Sequence, residues 1–208
     1  MPRLLPLLTA ALAAGLAFAA NATFSIREAP RQDVDLDTGA ISLPKGGLIE
    51  DSLTGLTVRA GSATIVQGQS LLARDATVIS KTNGTIHATG LDYQVKTGRV
   101  TATGPLEYSF ETFKGLKASK ALISIPDGIA VVKGGVSAAS PALNADAAVV
   151  DTKARVAFLY GHFRFDKLTS NKADGQLLLR FPEGSGKVSA STTIPAADRA
   201  RFLKWLGE

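Results

Sequence analysis

The sequence predicts an all-β protein: an elongated antiparallel β-jelly-roll made from one bent, V-shaped sheet, with a short C-terminal helix. Three observations carry that expectation. From about residue 55 to residue 181, apolar and polar residues alternate in short runs, the period-two pattern of strands with one dry and one wet face. Turn residues bound those runs and no helical stretch is interleaved, which leaves a sandwich, a closed barrel, a β-helix or a folded jelly-roll. The third is a recurring phrase, in which an alanine in one run is followed sixteen residues later by a glycine that opens the next. Ala88 leads to Gly104, Ala118 to Gly134 and Ala145 to Gly161, and a looser copy joins Ala73 to Gly90. One hairpin per phrase means stacked strand pairs sharing an interior that no single pair could bury, and repeated hairpins of this length favour the bent sheet.

Residues 1–22 are set apart first. Arg3 precedes an apolar run from Leu4 to Ala20, and both Ala17-Phe18-Ala19 and Ala20-Asn21-Ala22 have the A-x-A form of a secretory cleavage site. The segment therefore reads as a signal peptide, with the mature chain beginning near Thr23 in the periplasm. The alternative is an uncleaved membrane anchor, against which stand the interruptions at Pro6, Thr9 and Gly15 and a length short of about 20 strongly apolar residues. Residues 23–194 then form the β domain and residues 195–208 the helix. Cysteine is absent, which excludes disulfides, thiol nucleophiles and Cys metal sites. Aromatics are only 6% of the chain, so the core must be built from Val, Ile, Leu and Ala. The net charge of +5 is spread along the sequence without a basic helix or an aromatic-plus-basic platform, the pattern of a solvated surface and not of a nucleic-acid face.

The elements follow in order. An acidic stretch over 23–44 holds a short strand or ordered arm, with Val34 and Leu36 alternating with Asp33, Asp35 and Asp37, and turns at Pro44-Lys45-Gly46-Gly47. Gly55 to Ala60 begins the body, and Thr64 to Gln67 pairs with Leu71 to Arg74 across Gly68-Gln69-Ser70. Ala76, Val78 and Ser80 run into Asn83-Gly84, a two-residue hairpin signal because both positions tolerate positive φ. Leu91, Tyr93 and Val95 share a face, the chain turns at Thr97-Gly98, and Leu106, Tyr108 and Phe110 give the cleanest alternation. Leu116 and Ala118 lead to Ile123 and Ile125, Pro126-Asp127-Gly128 turns, and Ile129 and Val131 return. Leu143 to Asp151 and Arg155 to Gly161 form the fullest phrase, followed by Phe163 and Phe165 and a last strand at Leu177, Leu179 and Phe181. Ten to fourteen short strands result. After Pro195 an amphipathic helix carries the single Trp205 and is expected to cap an open sheet end.

Strands with one dry face must pack on another layer. Ala88, Ala102, Ala118, Ala145, Ala147 and Ala157 are assigned to that face, where they either thin an ordinary core or leave room for an alkyl chain at about 0.8 kcal/mol per buried CH₂. Gly104, Gly134 and Gly161 read as bulges or bends where the sheet creases. The apolar groove candidates are Tyr93, Val95, Leu106, Tyr108, Phe110, Leu116, Ile123, Ile125, Val131, Leu143, Val149, Phe163 and Phe165. No catalytic constellation accompanies them: His87 and His162 lie in strands without nearby Cys, no G-x-S-x-G elbow is present, and Gly184-Ser185-Gly186-Lys187-Val188 lacks the first glycine and the hydroxyl of a phosphate loop. Neither an enzyme nor a cofactor or metal protein is expected.

The phrase Leu-x-Ala-Asp-x-Ala-x-x-Asp, turn, alternating strand, Gly-x-Phe resembles the OstA-like domain, the family of the lipopolysaccharide-transport proteins LptA and LptC and the periplasmic part of LptD. Leu143, Ala145, Asp146, Ala147, Asp151, Gly161 and Phe163 carry the best copy. Leu116, Ala118, Ala121, Gly135 and Val136 carry a second, and Leu72, Ala73, Asp75 and Ala76 a weaker one. The resemblance spans roughly residues 50–170; the acidic arm and the tail from Lys167 fall outside it. It implies a jelly-roll open along one side, sheltering acyl chains of lipopolysaccharide or another amphipathic envelope lipid. It also implies end strands that pair with other OstA-like domains, or head to tail with a second copy. An LptA-like role is the first expectation and an anchored LptC-like component the second. A structural or adhesive β protein without lipid, and a carbohydrate-active enzyme on a β-helix, are the readings from other classes.

Overall fold

The computed structural model describes residues 23–110, 113–183 and 187–207; the expected signal segment lies outside them. Sixteen strands form one antiparallel sheet. They are β1 (Phe24–Glu28), β2 (Asp33–Val34), β3 (Ile41–Leu43), β4 (Gly47–Asp51), β5 (Leu56–Ala60), β6 (Ser62–Val66), β7 (Ser70–Ser80), β8 (Gly84–Gln94) and β9 (Arg99–Phe110). Then come β10 (Phe113–Ser124), β11 (Ile129–Ala139), β12 (Ala142–Asp151), β13 (Val156–Phe165), β14 (Leu168–Ser170), β15 (Gln176–Arg180) and β16 (Ser189–Ser191), with helix α1 (Ala196–Leu206) last. The antiparallel folded sheet with a short C-terminal helix is the architecture the alternation predicts. The strands are more numerous than expected because β2, β14 and β16 are too short to show a period.

The seven strands β7 to β13 lie side by side in sequence order, and each contributes to two arms. The division is visible at both ends: Arg74 and the residues before it in β7 pair with β6, whereas Thr77 to Ile79 pair with β5. Likewise Val156 to Tyr160 of β13 pair with β15, and Phe163 to Phe165 with β14. One arm therefore carries β1, β4, β5 and β14, the other β3, β6, β15 and β16, and β7 to β13 run through both.

Between the arms lies a line of bulges. Register shifts fall between Ala88 and Gly90, between Ala118 and Lys120, between Lys133 and Val136, and between Ala145 and Ala147. The phrase glycines sit on that line in the left-handed region, Gly104 at φ +88°, Gly134 at +84° and Gly161 at +86°. A Cβ on each would stand 2.8 Å from Thr89, 1.9 Å from Ser119 and 2.3 Å from Asp146. Those three are the residues that follow the phrase alanines. The repeat is thus a bulge unit: alanine faces the core, and the single residue after it stands opposite two residues of the neighbouring strand, the first of them the left-handed glycine.

Folding the sheet along this line packs the two inward faces into one continuous core. Ala88, Ala102, Ala118, Ala145 and Ala157 belong to it. Ala147 does not: the register shifts at Asp146, so Ala148 and Val150 take the inward positions and Ala147 pairs with Lys133 and Tyr160 on the outer face. A second cluster of Ile129, Val131, Val149, Val156, Phe158 and Leu178 covers the outer face of one arm and is closed by Phe202 of α1. The helix therefore covers an outer face and not an open sheet end. Its anchor is Phe202, fully buried and stacked on Phe158 at 5.3 Å, while Trp205 is only partly buried. Asn83-Gly84 is not a two-residue turn either. Ser80 pairs with Gly84 across Lys81-Thr82-Asn83, and Gly84 already belongs to β8 at φ +85°.

Candidate functional site

The candidate site is the interior between the arms and the seam along which they meet opposite the crease. Of the predicted groove residues, Tyr93, Leu106, Tyr108, Leu116, Ile123, Leu143, Phe163 and Phe165 lie in the main core. Val95, Phe110 and Ile125 pack against it, partly buried at strand ends. Val131 and Val149 are a correction: they face outward under α1. Ala130, Val132, Ala148 and Val150 hold the inward positions of those strands. Where helix and second arm cover both faces, every position is apolar and alternation cannot say which side is which.

Contacts across the arms fix their spacing. Tyr93 donates its hydroxyl to Asp51 Oδ2 at 2.5 Å, with Phe24 edge-on to its ring at 5.8 Å. Burial, reinforced by that carboxylate, pushes the Tyr93 phenol up to about 12. Tyr108 is also fully buried, and its hydroxyl finds no hydrogen-bond partner among the described residues. Desolvation raises its pKa as well.

The seam is closed by side chains. Phe113, at the start of β10 in one arm, meets Phe181, just beyond β15 in the other, edge to face at 4.7 Å. The lip on the Phe181 side is tied laterally. Arg155 Nε donates to the Phe181 carbonyl at 3.1 Å, Thr152 Oγ1 to the Gly128 carbonyl at 2.9 Å, and Lys153 Nζ to the Pro126 carbonyl at 2.6 Å. On the opposite lip, Asn83 is 4% exposed and its Nδ2 donates to Thr82 Oγ1 at 3.0 Å, but its Oδ1 is unpartnered among the described residues. A groove of about 430 Å³ runs between the lips, lined by Lys81, Asn83 and Phe110 on one side and by Ile125, Lys153 and Arg155 on the other.

Sequence reading misses this lip. Its residues come from segments far apart in the chain, 81–83, 125–128, 152–155 and 181–183 with the strand-end Phe110 and Phe113, and apart from Phe110 and Ile125 none of them is singled out as a groove residue. The two histidines are exposed: His87 Nδ1 bonds Thr77 Oγ1 at 2.8 Å, and His162 contacts Asp146 at the crease. Among the described residues no group of three His, Cys, Asp or Glu could hold a metal ion.

No protein-family model matches this chain, and no curated protein does. Among solved structures, a chain described as LptH, the LptA homologous periplasmic component of the lipopolysaccharide transport device from Pseudomonas aeruginosa, aligns with 83% of this chain and 95% of its own length, at 11% identity and TM-score 0.37. At that distance no residue role passes from one to the other.

Proposed function

We propose that the protein is a non-catalytic periplasmic carrier that shelters the acyl chains of an amphipathic envelope lipid, lipopolysaccharide first among them, between its two arms. The observation that carries this reading is the seam. A single sheet folds along a bulge line into a continuous, alanine-rich apolar interior whose far side is held shut by side-chain contacts and by no strand pairing among the described residues. Side-chain contacts part at far lower cost than a backbone ladder, and an alkyl chain admitted there gains about 0.8 kcal/mol for each CH₂ buried. Small inward side chains and the hinge-like crease let the arms move apart without unfolding either. The outer edges of β1 and β16, without a strand partner among the described residues, suit strand addition by another OstA-like domain or by a second copy, head to tail.

A second reading is favoured by one observation: in the closed state the interior is filled by the protein's own side chains, as in a structural β protein that assembles through its edges. Photoreactive residues at Leu106, Phe110 and Phe163, with outward-facing Leu72 as the control, distinguish the two in the presence of lipopolysaccharide. The carrier reading expects adducts at the first three and none at Leu72. Concentration-dependent oligomers with an unlabelled interior would support the structural reading instead.

A further inference from the structure

We infer that the seam carries a headgroup-linkage subsite for an anionic acyl amphiphile, built from Tyr108, Asn83, Lys81 and Lys153. This rests on the carrier reading and specifies where in the interior the polar end of the ligand stops. Two polar atoms at this end of the molecule are buried without partners among the described residues, the Tyr108 hydroxyl and Asn83 Oδ1. An unsatisfied buried group typically costs about 1–3 kcal/mol, so the two are a standing penalty that a suitable occupant would remove. They belong to one neighbourhood. Tyr108 pairs with Ile86 across β8 and β9, Asn83 immediately precedes β8, and Phe110, two residues beyond Tyr108 on the same face of β9, lines the seam groove beside Asn83.

Their chemistry is complementary. A phenol can donate to a carbonyl, and an amide oxygen accepts from an N–H or O–H, so an acyl amide or a hydroxylated acyl chain answers both. The seam groove is lined by Lys81 on one lip and by Lys153 and Arg155 on the other, with Glu183 the one carboxylate in its lining among the described residues. Arg155 is committed to the Phe181 carbonyl and lies 3.8 Å from Glu183, and Lys153 reaches the Pro126 carbonyl, so Lys81 and Lys153 set ammonium groups on both lips of the mouth. An anionic headgroup at the rim, a carbonyl linkage beneath it and an alkyl chain in the core satisfy the three layers in order. Bridging both lips, such a ligand also stabilises the state in which the arms have parted to admit it.

The test measures binding of the full chain by titration calorimetry, below the critical micelle concentrations, to N-dodecanoylglycine, dodecyl maltoside and inorganic phosphate. The expected result is that N-dodecanoylglycine binds at least ~10-fold more tightly than dodecyl maltoside, a difference of one good charge-assisted contact. Substituting Lys81→Glu with Lys153→Glu brings the two to parity through loss of N-dodecanoylglycine affinity. Tyr108→Phe is the sharper variant: it weakens N-dodecanoylglycine binding while leaving the ligand-free protein as stable as before or more so, because a hydroxyl without a partner is what it removes. Equal binding of both amphiphiles by wild type and all variants would sink the subsite and leave the carrier reading standing. Binding of neither would overturn both. Competition by inorganic phosphate at concentrations comparable to the amphiphile would assign the rim to a free anion and overturn the lipid headgroup.

Discussion

Conformation and close approach act together at the crease residues, and the two effects can be separated. Gly161 combines φ +86° with a site where a Cβ would meet Asp146 at 2.3 Å; Gly135 has φ +76° with no atom within 4 Å of that position. Gly135→Ala should therefore cost only the left-handed penalty, about 1–2 kcal/mol, and Gly161→Ala clearly more, read by urea denaturation. Equal losses would show that the packing of Asp146 on the glycine contributes nothing. Asp146 also accepts the His162 backbone N–H at 2.8 Å and contacts its ring at 2.7 Å, and these bonds hold its carboxyl below the ordinary 3.8. A depressed carboxylate contributes stability that is present above the unfolded value and lost as pH falls through the folded one. The stability gap between wild type and Asp146→Asn should accordingly shrink as pH is lowered from about 5 to about 2. Asp146 is about half exposed, so the effect is modest and screened by salt. Tyr93 has the opposite sense: its raised phenol keeps a proton that the unfolded chain releases, so stability falls as pH rises from about 10 to about 12. Tyr93→Phe should flatten that alkaline limb.

Helix α1 shows how an element can be recognised correctly and placed wrongly. Its limits follow from Pro195 and the apolar spacing, and its anchor sits in the outer cluster and not over a sheet end. Phe202→Ala should cost about 3–5 kcal/mol as a cavity opens against Phe158, whereas Trp205→Ala, at a partly exposed position, should cost much less. Comparable losses, measured by thermal unfolding, would mean that the helix docks through its single Trp. Arg201 adds a polar tie, donating to Asp151 Oδ2 at 2.5 Å while Asp151 Oδ1 takes the Ala154 N–H at 2.8 Å. The helix is thus connected to the turn over 152–155 that forms part of one seam lip. Strands β11 to β13 leave the docking face of the helix without a period to mark it. Apolar on both faces there, they lose the alternation that elsewhere separates inside from outside.

As a whole, the molecule is closed by backbone pairing along the crease and by side chains along the seam. The crease is a continuous backbone ladder interrupted by single-residue bulges, while the seam depends on rings and turn contacts. Native-state hydrogen exchange should find amides around Phe113 and Phe181 opening at lower free energy than those flanking Gly134 and Gly161, and Phe113→Ala should widen that difference. Uniform protection across both would contradict a parting seam. Much of this was legible in the chain. Alternation identified the strand faces of Tyr93, Leu106, Tyr108, Phe163 and Phe165, and the alanine-to-glycine phrase located the crease, because a left-handed bulge leaves glycine as the one residue without a steric penalty. An antiparallel sheet, its bend line and its terminal helix are written in local periodicity and backbone sterics. Which face of β11 and β12 is inside, where the helix docks, and that Lys81, Asn83 and Lys153 line one groove are properties of the folded arms. Those depend on closing the two arms over one another, and contacts between residues as many as 100 positions apart leave no period in the chain to read.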